Sequence, residues 1–149
     1  MRKYQILCLV LITCLFACKK DNTSPDVLTG NWELVEVFDK TTSTFINFPT
    51  GGSGNVTINF SGRGQFNGKT LKNTLSNGTY SIKRNKEITF GSYTSTLVLE
   101  DEWGGPFQTV LSTCILSSTT PCPTSYYFIK NGLLSINSPL RYNIKLSKL

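Results

Sequence analysis

The feature that most constrains this chain is an apolar–polar alternation at period two, punctuated by asparagine–glycine pairs. Val56, Ile58 and Phe60 alternate with Thr57 and Asn59, and Tyr80 and Ile82 alternate with Thr79, Ser81 and Lys83. Successive side chains of a strand point to opposite faces, so this rhythm, rich in β-branched and aromatic residues, predicts half-buried strands. The same reading predicts strands at 31–38, 88–90, 93–100, 107–116, 126–130, 133–138 and 140–146. Asn67-Gly68, Asn77-Gly78 and Asn131-Gly132 are dipeptides that tolerate positive φ at both centres of a type I′ turn. The segment Ile129 to Leu134, with Asn131-Gly132 at its centre, is the strongest single hairpin. No window of a dozen residues shows a credible i, i+3, i+4, i+7 apolar stripe against the strand pattern, so at most one short helix is expected.

Eight or nine short strands joined by tight turns predict an all-β domain. An antiparallel up-and-down β-barrel of about eight strands is favoured, because closure removes the edges that a long meander leaves open. A β-sandwich is the alternative. The stretch 41–55 breaks the rhythm, with Phe45, Ile46 and Phe48 among threonines and glycines. It reads either as a lid over a cavity or as a surface loop. Gly51-Gly52-Ser53-Gly54 lacks the Lys-Ser/Thr of a phosphate loop and reads as a linker.

The first 17 residues are of another kind. Arg2 and Lys3 precede an apolar run from Ile6 to Phe16, and Ala17 sits just before Cys18. A basic start, a short apolar core and a small residue at the cut describe a secretory signal. The run falls short of the roughly 20 apolar residues a membrane span needs. Residues 18–26 hold almost nothing apolar and read as a tether, which fully stretched reaches about 30 Å. Residues 27–149 form one domain. Removing 17 of 149 residues takes Lys+Arg from 15 to 13 against 9 Asp+Glu, a net charge near +4. Such a surface attracts anionic head groups or polysaccharides, and an exported chain is not expected to bind nucleic acid.

Chemistry is poorly provided for. With no histidine, the commonest general base and metal ligand is missing. Glu100-Asp101-Glu102 is the one acidic cluster, and adjacent strand residues do not converge on one face. No catalytic residues, metal site or cofactor are expected. Of five cysteines, Cys8 and Cys14 belong to the signal, Cys18 stands at its end, and Cys114 and Cys122 remain. In an oxidising compartment that pair predicts one disulfide around the turn-rich segment 115–123.

Two resemblances sharpen the picture. Leu15-Phe16-Ala17-Cys18 resembles the lipobox of bacterial lipoproteins, which implies a diacylglyceryl thioether on Cys18 and cleavage before it. Lys19 after that cysteine implies sorting to the outer membrane, on its periplasmic face or at the cell surface. Leu28-Thr29-Gly30-Asn31-Trp32-Glu33-Leu34 resembles the first strand of lipocalin-like proteins, which opens with Gly-x-Trp. Residues 60–64, 78–82 and 87–90 fit the same family in order, while its second motif is not visible. The family implies Gly30 as an entry turn, Trp32 as the plate closing one barrel end, and a basic residue of the last strand stacked on it, Arg141 or else Lys145. It also implies a cavity for a small hydrophobic ligand. In this chain Val56, Ile58, Phe60, Leu97, Leu99 and Phe128 are the residues expected to line it. Trp103, Phe107, Tyr126 and Tyr127 read either as a mouth for such a ligand or as packing beneath loops. The alternative is a filled barrel acting as a scaffold or accessory protein that docks to another envelope protein.

Overall fold

The computed structural model describes residues 25–117 and 120–149. The expected signal, most of the expected tether and Cys18, expected to carry lipid, lie outside the described residues. A 3-10 turn at Pro25–Leu28 leads into β1 (Gly30–Asp39), followed by β2 (Thr44–Ile46), β3 (Thr57–Ser61), β4 (Gln65–Lys69), β5 (Thr74–Lys83), β6 (Glu87–Phe90) and the two-residue β7 (Thr94–Ser95). Helices α1 (Gly104–Leu111) and α2 (Thr113–Ser117) come next, then β8 (Ser125–Lys130), β9 (Leu133–Asn137) and β10 (Tyr142–Lys148).

Every pairing is antiparallel, in the order β1, β3, β4, β5, β6, β8, β9, β10, and β10 returns to β1. The result is a closed eight-stranded up-and-down barrel, with β2 paired to the mouth end of β1 beyond β3 and β7 paired to the mouth end of β5 beyond β6. The seam between β1 and β10 runs from Trp32↔Lys148 to Asp39↔Tyr142. The narrowest join, β6 to β8, holds only Glu87↔Tyr126 and Ile88↔Ser125, and α2 lies against β6 there.

Alternation does most of the work of forming these elements. On β3, Ile58 and Phe60 are buried while Asn59 is exposed; on β9, Leu134 and Ile136 are buried between exposed Leu133 and Asn137. On β1, Trp32 and Leu34 point inward, and a bulge between Leu34 and Glu36 shifts the phase so that Val37 and Asp39 come next. That extra residue turns an acidic side chain inward, since a bulge re-aims the side chains beyond it.

The two rims differ. The base carries the start of β1, the end of β10 and the short turns β3–β4, β5–β6 and β8–β9. The mouth carries the 40–56 connection, the β4–β5 turn, the long 91–124 connection and the β9–β10 turn. The 91–124 connection crosses the mouth, and α1 packs against β10 and β1 with Phe107, Val110 and Leu111 fully buried.

Several sequence expectations are corrected here. Residues 93–100 contain only β7, and 107–116 are helical rather than a strand. Two short helices therefore stand where at most one was expected. Asn131-Gly132 does make the β8–β9 turn, with φ of 51° and 75°. Asn67-Gly68 and Asn77-Gly78 instead lie inside β4 and β5, around the bulge between Phe66 and Gly68. Gly78 is there because the Phe66 ring lies flat against the sheet: a Cβ at 78 would collide with that ring. The last strand runs to Lys148 instead of ending at Leu146. Cys114 and Cys122 are bridged, with sulfurs 2.04 Å apart, and the bridge ties α2 to the approach of β8.

Candidate functional site

The barrel interior is where a ligand would sit, and side chains occupy it. Phe60 packs edge-on against Tyr80 at 4.9 Å, and Phe66 packs edge-on against Phe90 at 5.9 Å. Phe60 also lies 6.2 Å from Phe66 and 6.5 Å from Phe90, so the four rings form one cluster. Edge-to-face rings at these spacings fill space densely and add attraction beyond area burial. The Tyr80 hydroxyl donates to the Ser61 carbonyl at 2.8 Å, which fixes its ring within the cluster. Trp32 closes the base, its Nε1 donating to the Leu28 carbonyl at 2.8 Å. Phe107 of α1 closes the mouth.

Three of the six residues expected to line a cavity, Val56, Ile58 and Phe60, are buried core. The other three are corrected. Leu97 and Leu99 are 99% and 91% exposed, because the segment expected to be a strand runs outside the barrel past β7. Phe128 is 46% exposed, because β8 turns Ser125 and Tyr127 inward and so Phe128 outward. Of the four aromatics assigned to a mouth or to packing, Trp103, Phe107 and Tyr127 are buried and Tyr126 is exposed. Phe48 of the 40–56 connection meets Trp103 edge-on at 5.7 Å, so part of that connection lies over the plug that residues 91–117 form at the mouth.

The basic partner of Trp32 is also corrected. Arg141 sits at the mouth, at the opposite end of β10 from Trp32. Lys148 is paired with Trp32 across the seam, and its Nζ lies 5.5 Å from the ring centroid. Lys145 bonds Glu36 at 2.7 Å instead. Gly30 does turn the entering chain, at φ +129°, a conformation side chains rarely adopt, and Lys148 passes over it. Arg141 donates from Nε to the Asp39 carboxylate at 2.9 Å and from its terminal nitrogen to the same oxygen, while its guanidinium lies over the Tyr142 ring. Asp39 is buried, and these bonds, with the Thr41 backbone amide, hold its pKa down at about 2, from 3.8.

The densest polar arrangement belongs to the plug, and sequence reasoning missed it. Asn73, in the β4–β5 turn, donates from Nδ2 to the Val98 carbonyl at 2.7 Å, and its Oδ1 accepts from the Val98 amide at 2.8 Å and from Thr96 Oγ1 at 2.9 Å. Glu100 Oε1 accepts from Thr70 Oγ1 at 2.6 Å, from Asn73 Nδ2 at 2.5 Å and from Gln108 Nε2 at 2.9 Å. Asp101 Oδ1 accepts from the amides of Trp103 and Gly104, and so caps α1 as a helix-start aspartate does. Burial raises the Tyr93 pKa, and its hydroxyl bonds Ser112 at the end of α1. The acidic cluster is thus divided: Glu100 straps, Asp101 caps, and neither is presented to a substrate in a pair. Among the described residues no group of three or more Asp, Glu, Cys or His is placed to hold a metal ion. A surface cleft of about 520 Å³ lies beside this network, between Glu102, Thr109 and Tyr142.

No protein-family model matches the chain, and no curated protein matches it. Two solved structures share its fold. A protein from Burkholderia xenovorans, solved by NMR, superposes with a TM-score of 0.59 at 16% identity, over 89% of this chain and 93% of that one. A DUF4847 family protein from Bacteroides vulgatus, a crystal structure, superposes with a TM-score of 0.54 at 13% identity, over 80% and 92%. At such identities the likeness is one of fold: this chain and both neighbours share one barrel architecture.

Proposed function

We propose that this protein is a lipid-anchored protein of the bacterial cell envelope, tethered through Cys18, whose filled barrel serves as a non-catalytic scaffold or accessory module. It works by presenting its outer surface and loops to another envelope component. The observation that carries this reading is the occupied interior: Trp32, Phe60, Phe66, Phe90 and Phe107 are all essentially fully buried, and α1 lies across the mouth. An eight-stranded barrel is at the size where its side chains fill it or leave room for one small ligand. Here the aromatic cluster takes that room. Binding of a small hydrophobic or amphipathic ligand, the function first expected from sequence, loses half of its proposed lining to the outer surface.

The test is titration with an environment-sensitive hydrophobic dye, followed by displacement with long-chain fatty acid. The expected result is no saturable, displaceable binding. Stoichiometric binding that fatty acid displaces would overturn the filled-barrel reading. Anchoring is tested separately by the mass of the N-terminal peptide of protein extracted from membranes. A peptide beginning at Cys18 and carrying acyl chains is expected, and an unprocessed first 17 residues would refute it.

A further inference from the structure

The charge of the described chain is sorted to one rim. The base carries Arg63 in the β3–β4 turn, Lys83, Arg84 and Lys86 around the β5–β6 turn, Lys130 at the β8–β9 turn and Lys148 at the end of β10. All six lie at the surface, and the three acidic residues on the same part of the chain are Asp26 in the entering turn, Glu33 and Glu87, which leaves the base a net +3. At the mouth, Lys40, Lys69, Lys72 and Arg141 are balanced by Asp39, Glu100, Asp101 and Glu102. Between the rims, Lys145 is neutralised by Glu36. The whole net positive charge of the barrel therefore sits at its base. Among the described residues the ion pairs are Arg141–Asp39 and Lys145–Glu36, and neither involves a cation of the base.

Apolar side chains stand among these cations. Phe128, Ile129, Leu133 and Leu149 are all exposed at or near the base, and Lys86 Nζ lies 5.2 Å from the Phe128 ring centroid. The chain also enters the barrel here: the Leu28 carbonyl is bonded to Trp32, and the preceding tether holds Lys19 and Lys20. We infer that the base of the barrel is a membrane-docking face that seats on anionic phospholipid, with the lysines and arginines at the head groups and Phe128 and Leu133 at the acyl boundary. A soluble polyanion would satisfy the cations but has no use for the exposed apolar side chains between them. A cationic rim attracts an anionic leaflet within a Debye length of it, and amphipathic faces gain further by burying apolar groups at the interface. The docking face rests on the envelope reading and deepens it, since the tether leaves from this rim and would hold it near the bilayer. The mouth, with the 40–56 connection and α1, then faces away from the membrane.

The barrel and its plug are built from residues 25–149, so a chain starting at Lys19 keeps the whole fold and lacks the acyl site. Its flotation with vesicles is then independent of lipidation. It is expected to bind vesicles of one-third phosphatidylglycerol in phosphatidylcholine, to ignore pure phosphatidylcholine, and to release as salt rises. The triple variant Arg84→Glu, Lys86→Glu, Lys130→Glu should bind at least about tenfold more weakly. The matched mouth variant Lys40→Glu, Lys69→Glu, Lys72→Glu, with the same change in net charge, should change binding less than about twofold, and dichroism spectra of both variants check that they fold. Equal losses from the two rims, or no preference for anionic vesicles, would overturn the docking face. Retention on an anionic polysaccharide at a salt concentration that frees the vesicles would overturn the choice of lipid. Absence of acyl chains on Cys18 in the extracted protein would refute the anchor and leave this result standing.

Discussion

Asp39 is the clearest case of one residue set by its surroundings. It is buried at the mouth, Arg141 donates twice to one of its oxygens, and the Thr41 amide bonds the other at 2.9 Å. These interactions favour the charged form, so the folded pKa of about 2 lies below the unfolded value near 3.8. A carboxyl depressed on folding adds stability above its unfolded pKa and loses it as pH falls through the folded one. Stability should therefore drop between about pH 4 and pH 2, and Asp39→Asn should flatten that part of the curve. Urea midpoints of both proteins across this window measure the difference. Parallel curves would show that Asp39 does not carry the acid sensitivity. Gly78 makes a steric counterpart. A Cβ there collides with the Phe66 ring, and Phe66 is wedged against Phe60, Phe90 and Tyr93. Gly78→Ala should cost about 1–3 kcal/mol, the usual range for overpacking a filled core, read as a lowered urea midpoint.

The plug shows how an irregular segment is held by side chains where strand pairing stops. Beyond β7, residues 96–100 have no continuous ladder, and Asn73 supplies the missing partners by bonding Val98 on both sides and Thr96 once. Removing them leaves the part-buried amide and carbonyl of Val98 unpartnered, each costing on the order of 1 kcal/mol, and loses the Asn73–Glu100 bond as well. Asn73→Ala should therefore lower stability by about 2–3 kcal/mol and loosen the mouth before the barrel. Hydrogen exchange should show faster exchange over 96–108 with β1, β9 and β10 still protected. Uniformly faster exchange would mean that the plug and barrel open as one unit. Sequence legibility divides along the same line. Strands with clean alternation, such as β3 and β9, are legible directly. The first half of β5 and all of β4 are not, because the bulge between Phe66 and Gly68 breaks the period and the Asn67-Gly68 and Asn77-Gly78 pairs imitate turns. The Thr, Val and Ile content of the helical segment imitates a strand. Yet Phe107, Val110, Leu111 and Cys114 do fall at i, i+3, i+4 and i+7, and Asp101 stands where a cap belongs. The partner of Trp32 is hidden because seam register, which pairs Trp32 with Lys148, depends on where β10 ends. The Asn73 network has no sequence signature, since its members are brought together only when β4, β5 and α1 are in place.

Closure is the property of the whole barrel that no single strand supplies. β10 is the last strand and pairs with both β9 and the first, so the first and last strands meet along the seam. Ile144 and Leu146 of β10 are buried, and Leu146 faces Leu34 across the seam and Leu134 on the other side. Without β10 the sheet would present two unpaired edges, β1 and β9, together with the apolar layer it had covered. Exposed edges of that kind template pairing with other chains. A chain truncated before Tyr142 should keep β-type dichroism yet run as soluble oligomers or aggregates in size-exclusion chromatography, while the full barrel runs as a single small species. The first-to-last pairing is also the contact of greatest sequence separation, so it closes only after the intervening strands have formed. The truncated chain is thus a stand-in for the state just before closure, and its tendency to associate measures how strongly the last strand protects the folding barrel. A monomeric, cooperatively unfolding truncation would show that the remaining seven strands close without it and that the seam is dispensable.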